Sequence, residues 1–178
     1  MRLLKLLVVI GILSLAGCVP GGTTPRAAPT IRTEGQGVRC AGDDHAVDEV
    51  QFGWSWCYPK SWKFQERLQP TGRPKGVDAT FDIVNDLPKG TPGSGDFGFL
   101  IVGTYDIGPV SGLREWVTAN IGPDLQLTSF TWANAREALV DGDGRRYALT
   151  AHHVVELDVR GPAIAGEMVK RLDRWRFY

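Results

Sequence analysis

Residues 52–62 read Phe-Gly-Trp-Ser-Trp-Cys-Tyr-Pro-Lys-Ser-Trp, and this stretch decides the fold more than any other part of the chain. Its aromatic residues occupy alternate positions from Phe52 to Tyr58, and alternate side chains of a strand point to the same face. Pro59 then ends the strand, because proline supplies no backbone N–H to a sheet. The stretch therefore predicts a strand with an aromatic face directed at a hydrophobic core.

Two stretches farther along the chain also predict strands. Residues 77–83 alternate apolar side chains with Asp78, Thr80 and Asp82, as in a strand with one face in water. Residues 97–105 are apolar on both faces, which favours a central strand. The glycine-rich residues between these two stretches, 87–96, predict a surface loop.

The second half of the chain predicts two helices and further strands. Residues 111–121 carry apolar side chains at helical spacing, with Ser111 as the cap and Gly122-Pro123 as the stop. Gly161-Pro162 opens a last helix, whose apolar residues recur at helical spacing as far as Trp175. The strands predicted between the helices are 125–132, 135–140 and 145–157, with a tight turn at 141–144.

This order of elements favours the α+β class, with a mainly antiparallel sheet packed by helices. Within that class, residues 52–62 resemble the opening of PsbP-like domains, an aromatic strand of the type GFSFSYPSSW. The turn at 141–144 and the last helix, which closes on residues 174–178, resemble later parts of the same pattern. The resemblance covers about residues 50–178 and implies an α-β-α sandwich that binds a larger assembly without catalysis. The family includes extrinsic subunits of photosystem II and many bacterial lipoproteins.

The beginning of the chain has the pattern of an export signal. Arg2 and Lys5 precede twelve uncharged, mostly aliphatic residues, and a helix of that length spans roughly 18 Å, short of the ~30 Å core of a bilayer. The run ends in Leu15-Ala16-Gly17-Cys18, which resembles the bacterial lipobox. That resemblance implies a signal peptide over 1–17, a lipid on Cys18 and a protein anchored on the extracytoplasmic face of a cell membrane. The alternative is an ordinary secretory signal with a chance cysteine.

Charge and composition characterise the chain beyond the signal. The 178 residues carry 20 basic and 20 acidic side chains, and removal of residues 1–17 takes away two basic ones, which leaves a net charge of −2. Nothing in this balance points to a nucleic-acid partner. Residues 18–37 are rich in Pro, Gly and Thr and predict a flexible tether that spans about 25 Å. Residues 38–178 are then a single globular domain.

Two cysteines remain once Cys18 is assigned to the lipid. An exported protein meets an oxidising compartment, so we expect Cys40 and Cys57 to form a disulfide. Closing a loop of this length is worth ~3 kcal/mol in the chain-entropy model. The alternative is a pair of free thiols or half of a metal site.

No motif in the chain predicts a catalytic, metal or cofactor site. His152 and His153 are adjacent on a predicted strand, so they point to opposite faces and cannot share one metal ion. The turn at 141–144 lacks the later ligands of a calcium loop. Ser94 lies in a glycine-rich loop without a phosphate-loop or nucleophile-elbow motif. A hydrolytic triad of Ser94 with His152 or His153 and an aspartate is the remaining enzymatic alternative.

Candidate binding residues fall into two groups. Trp62 and Trp132 lie outside the aromatic strand, and an exposed tryptophan is a frequent binding hot spot. The second group is basic and lies on the last helix and the strand before it: Arg145, Arg146, Lys170, Arg171 and Arg174. Such a patch would meet anionic headgroups or an acidic partner. We therefore expect a non-enzymatic binding or accessory module for an envelope protein; the alternative is capture of a small ligand or glycan in an aromatic-lined cleft.

Overall fold

A computed structural model describes residues 38–42, 44–71, 73 and 75–178. The predicted signal peptide, lipidated Cys18 and tether lie outside the described residues. The helices of the described part are α1 (Leu113–Asn120) and α2 (Pro162–Val169). Its strands are β1 (His45–Glu49), β2 (Trp54–Tyr58), β3 (Trp62–Pro70), β4 (Val77–Asn85), β5 (Phe97–Asp106), β6 (Thr128–Ser129), β7 (Glu137–Val140), β8 (Arg146–Leu149), β9 (His153–Arg160) and β10 (Trp175–Phe177).

The strands form two antiparallel sheets. One has seven strands in the order β3-β4-β5-β9-β8-β7-β6, and the other has three strands in the order β1-β2-β10. The predicted α+β class, a mainly antiparallel sheet packed by helices, is confirmed. β5 lies between β4 and β9, so the prediction of a central strand at 97–105 is also confirmed.

The three-stranded sheet packs against one face of the seven-stranded sheet, called here the inner face. Side chains of Trp54 and Trp56 from β2 pack in this layer against Phe81 of β4 and Trp175 of β10. All five residues of β2 are buried, because the side of β2 that points away from the seven-stranded sheet is covered as well. The aromatic strand predicted at 52–58 is therefore part of the core, although Phe52 belongs to a short 3₁₀ turn that precedes β2.

The two helices lie on opposite faces of the seven-stranded sheet. α2 packs on the inner face, where Ile164 and Met168 join the aromatic core. α1 packs on the other face, called here the outer face, against β7 and β8. Its side chains Leu113, Trp116 and Val117 are buried in a second apolar cluster. α1 covers one end of the outer face, over β7 and β8 and over the ends of β5 and β9 at Tyr105 and Val154.

Two of the predicted elements are wrong in their extent. The single strand expected over 145–157 is two strands, because Thr150 accepts hydrogen bonds from the backbone N–H groups of His152 and His153 and closes a turn between β8 and β9. The last helix ends at Val169 instead of continuing to Trp175. Residues 175–177 form β10 instead, because Trp175 and Phe177 alternate into the aromatic core next to β2.

Two smaller predictions also change. Gly112, not Ser111, is the cap residue of α1, while the Ser111 hydroxyl donates to the Glu115 carboxylate one turn later. The strand expected over 125–132 is reduced to Thr128–Ser129. The tight turn at 141–144 is confirmed, with the Gly144 N–H donating to the Asp141 carbonyl.

The disulfide between Cys40 and Cys57 is present, as expected. It ties the start of the domain to β2, with a Cα–Cα distance of 5.5 Å. Val38 and Ala46 pack beside it in a small apolar cluster. Since Trp56 and Tyr58 point into the core, Cys57 points to the opposite side of β2, so the chain enters the domain on the outward side of the three-stranded sheet. Neither described helix has the length and hydrophobicity of a membrane span.

Candidate functional site

Part of the outer face carries exposed apolar side chains that α1 does not cover. Val84, Phe97 and Phe99 are 38%, 54% and 37% exposed, and Ile101 is half-buried beside them. The rings of Phe97 and Phe99 meet edge to face, with centroids 4.8 Å apart. Strand register places all four on one face, because Val84 pairs with Phe97. We call these four residues the outer patch.

A rim of charged side chains surrounds the outer patch. Arg67 of β3 pairs with Asp82 of β4 at 2.8 Å, and Arg160 of β9 pairs with Asp158 at 2.9 Å. The arginine side chains are 51% and 68% exposed, whereas their aspartate partners are only 23% and 18% exposed. Lys63 is also exposed, and its cross-strand partner is Val84. The outermost charge around the patch is therefore positive.

A polar cleft of about 380 Å³ adjoins the outer patch on the same face. At its base, the Tyr105 hydroxyl lies 3.1 Å from Oδ1 of Asp78 and 3.1 Å from Oε2 of Glu156. Arg73, on the connection between β3 and β4, reaches the same Glu156 oxygen at 2.8 Å. The Tyr105 side chain lies against Gly103, where an added Cβ would be 2.2 Å from the hydroxyl oxygen. Glycine at 103 is therefore required by this position of Tyr105.

At the base of the cleft, two carboxylates, Asp78 and Glu156, lie beside a single ion-paired cation, Arg73. Burial raises the pKa values of Glu156 and Asp78, and the nearby Arg73 only partly offsets that effect. Burial, together with the neighbouring carboxylates, also raises the pKa of Tyr105, so its hydroxyl stays protonated. Arg145 also lines the cleft, but it pairs with Asp141 at 3.0 Å. Asp78, Tyr105 and Glu156 therefore form a hydrogen-bonded network in which burial favours the protonated side chains, and this network lies beside the outer patch.

The two tryptophans proposed as binding residues are in the core, which corrects that prediction. Trp62 is 3% exposed and packs against Trp56, and Trp132 is 1% exposed and packs against Trp175. β3 begins at Trp62 with that side chain directed at the inner face, and the 131–134 segment folds Trp132 over β10. Both residues are therefore almost wholly buried.

Three of the five basic residues expected to form one patch line three different cavities. Arg145 lines the polar cleft, Lys170 lines a cavity of about 400 Å³ beside Trp62, and Arg174 lines a groove of about 750 Å³. Arg171 is held by Asp44 and Glu167 and is only 17% exposed. Arg146 donates to the Gly144 carbonyl, and burial lowers its pKa. These five residues therefore do not line one common cavity, and Lys170, Arg171 and Arg174 follow the end of α2 instead of lying on it.

The residues weighed for catalysis are far apart. Ser94 lies in the loop between β4 and β5, where its hydroxyl donates to the Leu87 carbonyl. His152 and His153 lie at the opposite end of the same strands, because His153 pairs with Asp106 while Phe99 pairs with Arg160. At ~3.3 Å per residue this separation exceeds about 20 Å. The prediction of a triad of Ser94 with either histidine is therefore wrong. Among the described residues, no three His, Cys, Asp or Glu side chains are grouped so that they could bind a metal ion.

The outer patch and the polar cleft were not among the predicted sites. Residues 97–105 have apolar side chains on both faces, so the sequence offers no sign that only the inner face is covered near Phe97 and Phe99. The cleft joins residues from four segments far apart in the chain, and only strand register brings Glu156 beside Gly103. The separation of Phe97 and Phe99 by a single Gly98 was the one local signal, since it places both rings on one face.

The outer patch with its cationic rim is the candidate functional site of this α+β domain. Comparison with known proteins adds no relative, because the chain matches no protein-family model, no curated protein and no solved structure.

Proposed function

We propose that this protein is a non-enzymatic binding module, lipidated on Cys18 and anchored on the extracytoplasmic face of a bacterial membrane, that docks an envelope protein through the outer patch. The observation that carries the docking part is the exposed pair Phe97 and Phe99 on an uncovered sheet face. Contiguous exposed apolar surface on a small domain is a common mark of an interaction site.

Charge complementarity indicates the kind of partner surface. Arg67 and Arg160 extend beyond their aspartate partners, so a partner meets positive charge at the rim and aromatic rings at the centre. A protein surface with an apolar centre and an acidic rim fits this arrangement. β3 is the edge strand of the seven-stranded sheet and continues the same surface, which favours a protein rather than a small ligand.

Several features support the remaining parts of the proposal. The Cys40–Cys57 disulfide suits an oxidising compartment outside the cytoplasm. The lipobox-like residues Leu15 to Cys18 support the anchor. A helix on each face of the large sheet accords with the α-β-α arrangement that the PsbP-like resemblance implies.

The alternative of an aromatic-lined cleft receives less support. The polar cleft, the cavity beside Trp62 and the groove at Arg174 are each bordered by one Trp or Tyr, and the remaining tryptophans pack in the core.

The docking proposal is tested by charge substitution in the detergent-solubilised native envelope. Phe97→Glu with Phe99→Glu places two acidic groups in the outer patch, and Val169→Glu on α2 is the matched control, since Val169 is 44% exposed. We expect wild type and the Val169 variant to migrate in a complex larger than the monomer, and the double variant to migrate as the free domain. Equal migration of all three proteins would contradict docking through the outer patch.

The anchor is tested separately by labelling cells with a clickable fatty acid. Wild type should carry the label and partition with membranes, whereas Cys18→Ser should lose both the label and the membrane association. An unlabelled wild-type protein would contradict the lipid anchor and leave the docking test intact.

A further inference from the structure

A groove of about 750 Å³ lies where the 131–134 loop meets β10 and the beginning of the domain. Arg39, Arg174 and Arg176 line it together with a single acidic residue, Asp173. Within the described part of the chain, none of these three guanidinium groups has an ion-pair partner. The groove therefore holds an excess of positive charge.

The groove lies on the side of the domain where the chain enters. Val38 packs beside the Cys40–Cys57 disulfide on the outward side of the three-stranded sheet, and Arg39 follows it directly. Arg176 also points outward, because Trp175 and Phe177 on either side of it are buried in the core. The residues that precede Val38 connect this side of the domain to Cys18.

We propose that this groove, which we call the arginine groove, binds the phosphate of an anionic lipid headgroup. This inference rests on the lipid anchor of the proposed function. A lipid on Cys18 holds the domain near the membrane surface, since a flexible tether of this length has a root-mean-square span of about 25 Å. Guanidinium groups pair with phosphate through two parallel hydrogen bonds, so three of them suit such a ligand.

Docking through the arginine groove would fix the orientation of the outer patch. The arginine groove opens on the outward side of the three-stranded sheet, whereas Phe97 and Phe99 lie on the outer face of the seven-stranded sheet, on the opposite side of the core. A domain seated on the membrane by its arginines therefore presents the outer patch away from the bilayer. The anchor and the arginine groove would then hold one side of the domain at the membrane and leave the outer patch accessible to a protein partner.

The size of the effect follows from known membrane electrostatics. Each basic side chain near an anionic surface favours binding about fivefold, so three arginines favour the docked state on the order of 100-fold. The preference should fall as salt is added, because the Debye length is only about 10 Å at 0.1 M ionic strength.

The test uses full-length lipidated protein in vesicles and the arginine reagent phenylglyoxal, with modification at each position read by mass spectrometry. One vesicle contains phosphatidylcholine alone, and the other also contains phosphatidylglycerol. We expect Arg39, Arg174 and Arg176 to react on the order of 10-fold more slowly in the anionic vesicles. Arg67 and Arg160 of the outer rim serve as internal controls and should react equally in both.

Equal modification rates at the groove arginines in both vesicles would overturn the proposal. Protection in phosphatidylcholine vesicles by an equal concentration of inorganic phosphate would also overturn it, because the site would then take soluble phosphate. Arg174→Gln with Arg176→Gln should abolish the protection of Arg39, whereas Arg67→Gln with Arg160→Gln should preserve it. Flotation with phosphatidylcholine vesicles depends on the Cys18 anchor alone. A protein that does not float therefore lacks the anchor, a result distinct from the absence of lipid binding by the arginine groove.

Discussion

The hydroxyl of Tyr105 lies 3.1 Å from Oε2 of Glu156, and the same hydroxyl lies 3.1 Å from Oδ1 of Asp78. A tyrosine hydroxyl has one proton to donate, so it cannot donate to both carboxylates at once. Either one carboxyl carries its own proton or one oxygen pair is repulsive. This geometry agrees with the raised pKa values of both carboxyls and makes the cleft sensitive to pH.

The first prediction concerns stability against pH. A carboxyl whose pKa is raised by folding contributes stability at low pH, and that contribution is lost as the pH rises through the folded-state pKa. The contribution of Glu156 to the free energy of unfolding should therefore fall as the pH rises from about 4, near the unfolded pKa. Glu156→Gln should lose this pH dependence, because an amide does not titrate, and Tyr105 can still donate to the amide oxygen.

Urea denaturation of both proteins across this range measures the effect as a difference. That difference cancels the opposite contribution of groups such as Glu167, whose pKa is lowered by Lys170 and Arg171. A difference that is constant with pH would contradict a raised pKa at Glu156.

The second prediction concerns Gly103. An alanine Cβ there would lie 2.2 Å from the Tyr105 hydroxyl oxygen, so the ring must move and the polar network must break. Gly103→Ala should cost about 1–3 kcal/mol, as overpacking does elsewhere. Gly142→Ala is the matched control, since nothing lies within 4 Å of its Cβ position. Thermal or urea denaturation that shows equal stability for the two variants would contradict the placement of Tyr105.

The third prediction separates a packing role for Trp132 from a binding role. Its ring packs against Trp175 and Phe177, with centroid distances of 5.0 and 5.3 Å. Trp132→Ala should destabilise the domain by about 3–5 kcal/mol. Val50→Ala, at a side chain 50% exposed, should stay within about 0.5 kcal/mol of wild type. A stable, folded Trp132 variant would mean that the ring is not in the core.

The fourth prediction concerns the Cys40–Cys57 disulfide. The bond links residues 17 positions apart, and loss of a loop constraint of this length costs about 3 kcal/mol. The double variant Cys40→Ala with Cys57→Ala should lose this amount in urea denaturation, and reduced wild type should lose a similar amount. If oxidised and reduced wild type unfold at the same urea concentration, the bond does not stabilise the fold.

The sequence predicted the buried strands of the two sheets better than it predicted the surface sites. Alternation identifies β2 and β4 because each buries one set of side chains against the aromatic core. The same local reasoning failed at residues 161–175, where helical spacing and strand alternation both fit and only pairing with β2 selects the strand β10. It also failed at 145–157, since a turn closed by the Thr150 hydroxyl has no glycine or proline to mark it.

Surface sites were harder to predict than the core for a physical reason. Exposure of Phe97 depends on α1 covering one end of the sheet and not the other, which no local pattern encodes. Burial of Trp132 depends likewise on Trp175 and Phe177, which lie more than 40 residues later in the chain. The arginines that follow α2 divide into two places: Arg171 is held by Asp44 and Glu167, whereas Arg174 and Arg176 line the arginine groove.

The most direct test of docking through the outer patch is photocrosslinking in living cells. The photoreactive analogue p-benzoylphenylalanine replaces Phe99 in one protein and Val169, the exposed control on α2, in another. Illumination should produce a covalent adduct with one defined envelope protein from position 99 and none from position 169. Lipid adducts at position 99, or the same protein adducts at both positions, would contradict a protein-docking role for the outer patch.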